Sequence, residues 1–199
     1  MGSASLTDIP VKIDPRALAV RKAGMADIRA LLELINAFAA KGIMLPRTEF
    51  EMSENIRDFT VAYDGARLLG CGALHFYTPT IGEVRSLAVD PGIQTRGVGR
   101  RVVEGLEQEA REQNLHAIFA FTYVPDFFGK LGFREVERGE LPLKVWKDCL
   151  RCPKFQCCDE IAVLKALRPD PILVSNPEPE TTLIQLPHVK PGQRPFGLR

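Results

Sequence analysis

The chain has 199 residues, of which 45% are hydrophobic, which fits one globular domain or one domain with a tail. Lys and Arg total 26 and Asp and Glu total 25, so the near-neutral charge gives no reason to expect nucleic acid or an anionic membrane as a partner. No apolar run reaches the length of a membrane span and the first residues lack the regions of a signal peptide, so we expect a cytoplasmic protein.

Helix and strand patterns alternate in the first half of the chain. Apolar residues at helical spacing predict a helix from Met25 to Lys41, with Gly42 as its stop. Thr48 and Glu51 match a capping box, which predicts a short helix ending near residue 56. Strands are predicted over residues 17–22, 58–64, 67–76 and 84–89, with a hairpin turn at residues 64–65.

The second half continues the same alternation. An amphipathic helix begins near Val98, and the later predicted elements are a buried strand over 116–122, a short helix over 126–131, a strand over 133–136, a helix near 143–150 and a strand near 161–167. We expect an N-terminal extension over 1–15, a mixed α/β domain over 16–168 and a tail over 169–199, in which repeated prolines exclude a long helix.

A glycine-rich loop, Gln94 to Gly99, separates the strand over 84–89 from the long helix. Glycines let a ligand approach the backbone closely, and a helix N-terminus presents free N–H groups, so this loop predicts a site for an anion such as phosphate. Arg100 and Arg101 follow where acidic residues are expected, which makes sense if they face an anion. The Q-x-x-G-x-G spacing is neither a Walker A loop nor a dinucleotide fingerprint.

The strand ending LAVDP, the Q-x-x-G-x-G loop and the later segment FFGKLGF together resemble the GNAT acyltransferases, the GCN5-related N-acetyltransferases, over about residues 16–168. The resemblance implies a mixed, mostly antiparallel sheet, splayed at an acetyl-CoA site and flanked by helices. It further implies that the strand backbone binds the pantetheine arm of acetyl-CoA, at Leu87, Ala88 and Val89. The loop would bind the pyrophosphate, through Gln94, Arg96, Gly97, Val98, Gly99 and Arg100.

Glu83 and Arg85 share one face of the predicted central strand. The strand is otherwise apolar, and two charged residues on one face of such a strand indicate a functional or structural role. Glu83 is either a general base for a substrate ammonium, directly or through water, or the partner of Arg85 in a structural ion pair. Many family members protonate the departing thiolate with a tyrosine. That position is Phe128 here, which cannot donate a proton. Either another group is the acid, with Tyr123 and Ser86 as nearby candidates, or coenzyme A leaves as a thiolate and takes a proton from water.

A narrower resemblance is to the short bacterial N-acetylglutamate synthases, which are stand-alone or fused to argininosuccinate lyase. It is carried by the segments LPR at 45–47, ENIRDF at 54–59, GCGALH at 70–75, KVWKDC at 144–149 and CDE at 158–160. It implies direct acetyl transfer to L-glutamate in a ternary complex, as the first step of arginine biosynthesis, and it is compatible with a homodimer. We also expect no arginine-binding regulatory site, since the chain is too short for the amino-acid-kinase domain of the longer synthases.

Glutamate brings two carboxylates, so its site needs at least two cationic groups, and the candidates are Arg47, Arg85 and Lys144. Two alternatives stay open. The acceptor could be another amino acid, a polyamine, an antibiotic or a protein amine, or the chain could bind acetyl-CoA without chemistry.

The cysteines at 149, 152, 157 and 158 read C-x2-C-x4-C-C. A zinc site needs two well-separated ligand pairs, so this spacing favours buried or redox-capable thiols, and no metal is expected. His75 is predicted to be a strand residue near the cleft, and its role in substrate binding is left open.

Overall fold

The computed structural model describes residues 14–94, 96–141 and 158–169. Most of the predicted extension and tail, the helix predicted near 143–150, Lys144 and three of the four clustered cysteines lie outside the described residues. In the described part of the chain, no helix is long and apolar enough to cross a membrane.

Within the described residues, seven strands form one mixed sheet. In chain order they are β1 (Ala19–Lys22), β2 (Phe59–Asp64), β3 (Arg67–Phe76), β4 (Ile81–Val89), β5 (Ala117–Thr122), β6 (Arg134–Glu135) and β7 (Ile161–Ala166). Their order across the sheet is β1-β2-β3-β4-β5-β7-β6. The pair β4–β5 is parallel and the other neighbouring pairs are antiparallel, so the predicted fold class is confirmed.

The part of the chain that the structure describes contains four α-helices beside the sheet: α1 (Ile28–Ala39), α2 (Glu49–Asn55), α3 (Val98–Glu112) and α4 (Pro125–Gly129). The predicted capping box of α2 is present, because the Glu51 N–H donates to the Thr48 hydroxyl and the Thr48 N–H donates to the Glu51 carboxylate. The first predicted helix begins later than expected. Its first three residues form a 3-10 turn, in which the buried Asp27 carboxylate accepts from the Gly24 N–H at 2.7 Å.

The helices cover opposite faces of the sheet. Helices α1 and α2 bury one face over a cluster that includes Leu31, Ile35, Met52, Val61 and Cys71. Helix α3 buries the other face and approaches β3 closely at two glycines. A Cβ atom would lie 2.9 Å from Val98 if added to Gly70 and 3.0 Å from Val102 if added to Gly72.

The central strand β4 begins at Ile81, three residues before the predicted start at 84, so that boundary was wrong. The cause is Gly82, which interrupts the apolar pattern in the sequence. In the structure a Cβ atom on Gly82 would lie 2.9 Å from Leu115 Cδ1, so glycine permits close packing within the strand rather than ending it.

Candidate active site

Strands β4 and β5 separate after only three paired positions. Their parallel pairing covers only Ile81 to Glu83 opposite Ala117 to Phe119, although both strands continue further. Beyond Glu83, β4 therefore borders an open wedge instead of a neighbouring strand. The edge of a strand exposed in this way can accept an extended ligand as an additional strand.

A β-bulge shapes the β4 side of this wedge. The pairing with β3 passes from Arg85 opposite Ala73 to Ala88 opposite Cys71, so two residues of β4 stand opposite Gly72. One of them, Ser86, has a φ of 52°, in the left-handed region that non-glycine residues rarely adopt. Bulges re-aim strand side chains and are common beside active sites. Neither this bulge nor the point where the two strands separate was predicted residue by residue.

The glycine loop is fixed to the end of β4 by side chains. The Asp90 carboxylate accepts from the Gly92 N–H at 2.9 Å, and the Gln94 amide donates to the Val89 carbonyl at 3.3 Å. Gly97 is the N-cap of α3 with a φ of 84°, a conformation that disfavours any side chain there. Gly99 lies in the first turn of α3, where a Cβ atom would be 3.3 Å from the Phe127 ring.

A cavity of about 490 Å³ lies at the start of α3 and borders Gly97, Arg100, Arg101 and Arg16. Arg100 donates to the Lys130 carbonyl at 3.2 Å and Arg101 donates to Glu104 at 3.1 Å. Three arginines line the cavity against two carboxylates, those of residues 14 and 104. This balance and the helix N-terminus suit an anionic ligand.

The other predicted cofactor residues differ in how far their side chains are buried. Val98 is buried in the core on the α3 side, and Ala88 is buried on the α1 side, so their side chains are committed to packing. Leu87 and Val89 are partly buried and pack against the α3-side core. The buried side chains of Val98 and Ala88 leave only their backbone for a ligand, whereas Arg96 is an exposed residue of the loop itself.

Two predicted substrate residues are placed at β4, one on the strand and one reaching it from the loop before α2. The loop before α2 is held by Asn36 of α1, which accepts from the Arg47 N–H at 2.9 Å and donates to the Arg47 carbonyl at 3.0 Å. From this fixed backbone the guanidinium reaches β4, with Nη2 3.5 Å from the Ser86 hydroxyl. Arg85 lies on the same stretch of β4, and strand alternation places its side chain on the same face as that of Glu83.

Two further polar residues border Glu83 on this face of the sheet. His75 stands directly opposite Glu83 in the β3–β4 register. Its Nδ1 atom lies 2.8 Å from Oδ2 of Asp58, and the same carboxylate oxygen is 3.9 Å from Nη2 of Arg85. Sequence reasoning missed Asp58, which was read only as the start of a strand, because no local pattern marks a contact between residues 17 positions apart.

The residues near the expected leaving group do not reveal an acid. Phe128 is 3% exposed and packs edge-on against Phe127 and Phe133, with ring centroids 5.2 and 5.1 Å away, so it is a core residue. Tyr123 lies just beyond β5 and is 38% exposed. Burial raises the pKa of the Cys71 thiol to about 12, so this cysteine stays protonated and is structural. Of the clustered cysteines the structure describes Cys158, whose Sγ lies 3.7 Å from the Glu160 carboxylate.

The sequence of the chain is similar to that of a known protein family and its curated members. The family model of the Acetyltransferase (GNAT) family matches residues 28–133. An uncharacterized N-acetyltransferase of Chlorobaculum tepidum is 40% identical over 148 residues, which are 74% of this chain and 96% of that relative. An amino-acid acetyltransferase of Mycobacterium tuberculosis is 33% identical over 66% of this chain and 77% of the relative.

Solved structures agree with the sequence relatives. The N-acetylglutamate synthase of Neisseria gonorrhoeae, complexed with coenzyme A and N-acetyl-glutamate, superposes with a TM-score of 0.69 and 27% identity, over 76% of this chain and 35% of that chain. A Mycobacterium tuberculosis protein in complex with CoA superposes with a TM-score of 0.66 and 29% identity, over 75% of this chain and 99% of that chain. The fold, the glycine loop and these matches together establish that the chain belongs to the GNAT acetyltransferase family.

Proposed function

We propose that the protein is an N-acetylglutamate synthase, which transfers acetyl from acetyl-CoA to the α-amine of L-glutamate by direct attack in a ternary complex. The observation that carries this proposal is that the Arg47 guanidinium lies 3.5 Å from Ser86 of β4, the residue next to Arg85, which shares a sheet face with Glu83. The two arginines and Glu83 match the charges of glutamate, which has two carboxylates and one ammonium, while the Asp58 carboxylate, 3.9 Å from Arg85, also contacts His75.

The cofactor half of the site supports acetyl-CoA as the co-substrate. Its pantetheine arm would lie in the wedge between β4 and β5, along the backbone of Leu87, Ala88 and Val89. Its pyrophosphate would bind at the start of α3, where Gly97 of the glycine loop and Arg100 border the cavity and the helix N-terminus favours an anion. The relatives crystallized with coenzyme A support the same assignment.

Glu83 is proposed as the general base, because its side chain shares a sheet face with Arg85 at the point where β4 leaves β5. Arg47 and Arg85 would each bind one carboxylate of glutamate. Lys144 remains a third proposed contact and lies outside the described residues. Charged, bidentate contacts of this kind also position the amine, which lowers the entropic cost of reaching the transition state.

Two other functions make different predictions. A GNAT acetyltransferase for another amine would use the same cofactor site with a different acceptor preference. An acetyl-CoA-binding module would bind the cofactor without turnover, which is an alternative because Phe128 is buried and cannot act as the acid. The cytoplasmic location, the role in arginine biosynthesis and a homodimer also stay predictions.

The test is release of the coenzyme A thiol from acetyl-CoA by the purified chain, with glutamate, glutamine, aspartate, lysine or spermidine as acceptor. The proposal expects thiol release and an N-acetylated product with glutamate. Preference for lysine or spermidine would leave only the broader acetyltransferase function. Cofactor binding without thiol release for any acceptor would favour the binding module.

A further inference from the structure

Asp58 and His75 form a polar pair beside Glu83 that the proposed reaction does not yet use. Asp58 ends the 3-10 turn before β2, and His75 lies near the end of β3. Their side chains are only 28% and 31% exposed. The ring of Tyr77 packs edge-on against His75 at 5.1 Å and also contacts the fully buried Phe119 at 5.7 Å, so the imidazole is held on two sides.

The contact with Asp58 decides which nitrogen of His75 can accept a proton. A carboxylate 2.8 Å from Nδ1 favours the neutral tautomer with its proton on Nδ1, which leaves Nε2 as the acceptor. The same carboxylate stabilises the imidazolium once Nε2 is protonated. Directly opposite residues on antiparallel strands have Cβ atoms about 5 Å apart, so the imidazole of His75 is within reach of the carboxylate of Glu83.

A proton relay follows from these positions. In water a glutamate carboxylate holds a proton with a pKa of about 4.3 and an imidazole with a pKa of about 6.5, so transfer from carboxylic acid to imidazole is downhill. We propose that His75, oriented by Asp58, takes up the proton that Glu83 removes from the acceptor ammonium. The inference rests on the proposed acetyl transfer. His75 and Asp58 act through Glu83 and are positioning residues.

The step balances without another reactant. The ammonium loses one N–H proton to Glu83, and Glu83 passes it to Nε2 of His75. The free amine forms the new C–N bond at the thioester carbonyl, and the C–S bond breaks. One proton of the attacking amine leaves with the thiolate as the coenzyme A thiol, and the imidazolium returns its proton to water.

The charged and titratable groups that face His75 determine the pH dependence. They are Asp58 on the turn before β2, Tyr77 beyond β3, and Glu83 and Arg85 on β4. With both substrates saturating, the relay needs a neutral imidazole, so wild-type kcat should fall once the medium is acid enough to protonate it. The Asp58→Asn variant lacks the carboxylate 2.8 Å from Nδ1 that orients the imidazole, so its kcat should be lower than that of the wild type.

The decisive variant is His75→Asn, whose amide can keep a hydrogen bond to Asp58 but cannot accept a proton. At pH 7 its kcat should be about one tenth of the wild-type value or below. Its rate should rise as the pH becomes alkaline, because a growing fraction of the acceptor then carries a free amine. The affinity for acetyl-CoA should not change. The matched control is His116→Asn, because His116 precedes β5 outside this cluster. It should keep the wild-type profile.

Added imidazole should restore part of the rate of a His75→Ala variant, which a merely structural role would not allow. The inference is overturned if His75→Asn turns over like the wild type, or if its pH profile runs parallel to the wild-type profile without rescue of His75→Ala. Absence of any turnover in the wild type would instead reject the proposed function, so the two failures are distinguishable.

Discussion

Replacing Arg47 by alanine tests the proposed glutamate site most sharply. The loop backbone is held by Asn36 through two hydrogen bonds that do not involve the guanidinium, so the variant should keep its fold. Loss of one partner of a buried charge pair costs at least about 2 kcal/mol. At 1.4 kcal/mol per tenfold, the apparent KM for glutamate should rise about 30-fold. Steady-state kinetics at saturating acetyl-CoA measures this change.

Two companion variants make the result specific. The Arg47→Lys variant keeps the charge but loses the bidentate fork, so its KM should lie between those of the wild type and Arg47→Ala. Arg29 pairs with Glu33 on the outside of α1 with 92% of its side chain exposed, and Arg29→Ala should leave KM unchanged. A KM for Arg47→Ala within about twofold of the wild type would refute the assignment of Arg47 to a substrate carboxylate.

Three further predictions concern the cofactor loop, the base and the stability of the fold. A valine at Gly97 must adopt a φ of 84°, so Gly97→Val should weaken acetyl-CoA binding about tenfold in calorimetry, and unchanged affinity would reject the cofactor site. Glu83→Gln should lower kcat about 100-fold at neutral pH, with a residual rate that rises with pH, whereas wild-type turnover would favour an ion pair between Glu83 and Arg85. A hydrogen bond from Arg21 lowers the pKa of the buried Asp27 carboxyl from 3.8 to about 2. This adds about 2 kcal/mol of stability above pH 4 that is lost as the pH falls through 2, so urea unfolding of Asp27→Asn should show that deficit at pH 7 and little difference at pH 2.

Local signals in the sequence predict most of the fold. Helical periodicity locates α1 and α3, the Thr48 capping box begins α2, and Gly65 with a φ of 57° forms the predicted hairpin turn. Each of these signals arises within a few residues and depends on propensity, capping or turn geometry. Such signals can therefore be recognised in the sequence without knowledge of the tertiary contacts.

The candidate site depends on contacts between distant residues, which local patterns do not encode. The Ser86 bulge arises from the register between β3 and β4, and the wedge arises where β4 leaves β5. Arg47 reaches Ser86 across 39 positions. Charge alternation on β4 correctly indicated that Glu83 and Arg85 share a face, but nothing in the sequence linked His75 to Asp58.

Competition among acceptors tests the central claim most directly. The purified chain is incubated with limiting acetyl-CoA and equimolar glutamate, glutamine, aspartate, lysine and spermidine, and the acetylated products are quantified by mass spectrometry. The product ratios equal the ratios of kcat/KM for the acceptors. The proposed site predicts N-acetylglutamate as the main product, since glutamine lacks the second charge and aspartate, one methylene shorter, should fit the two arginines less well. A main product derived from lysine or spermidine would contradict it.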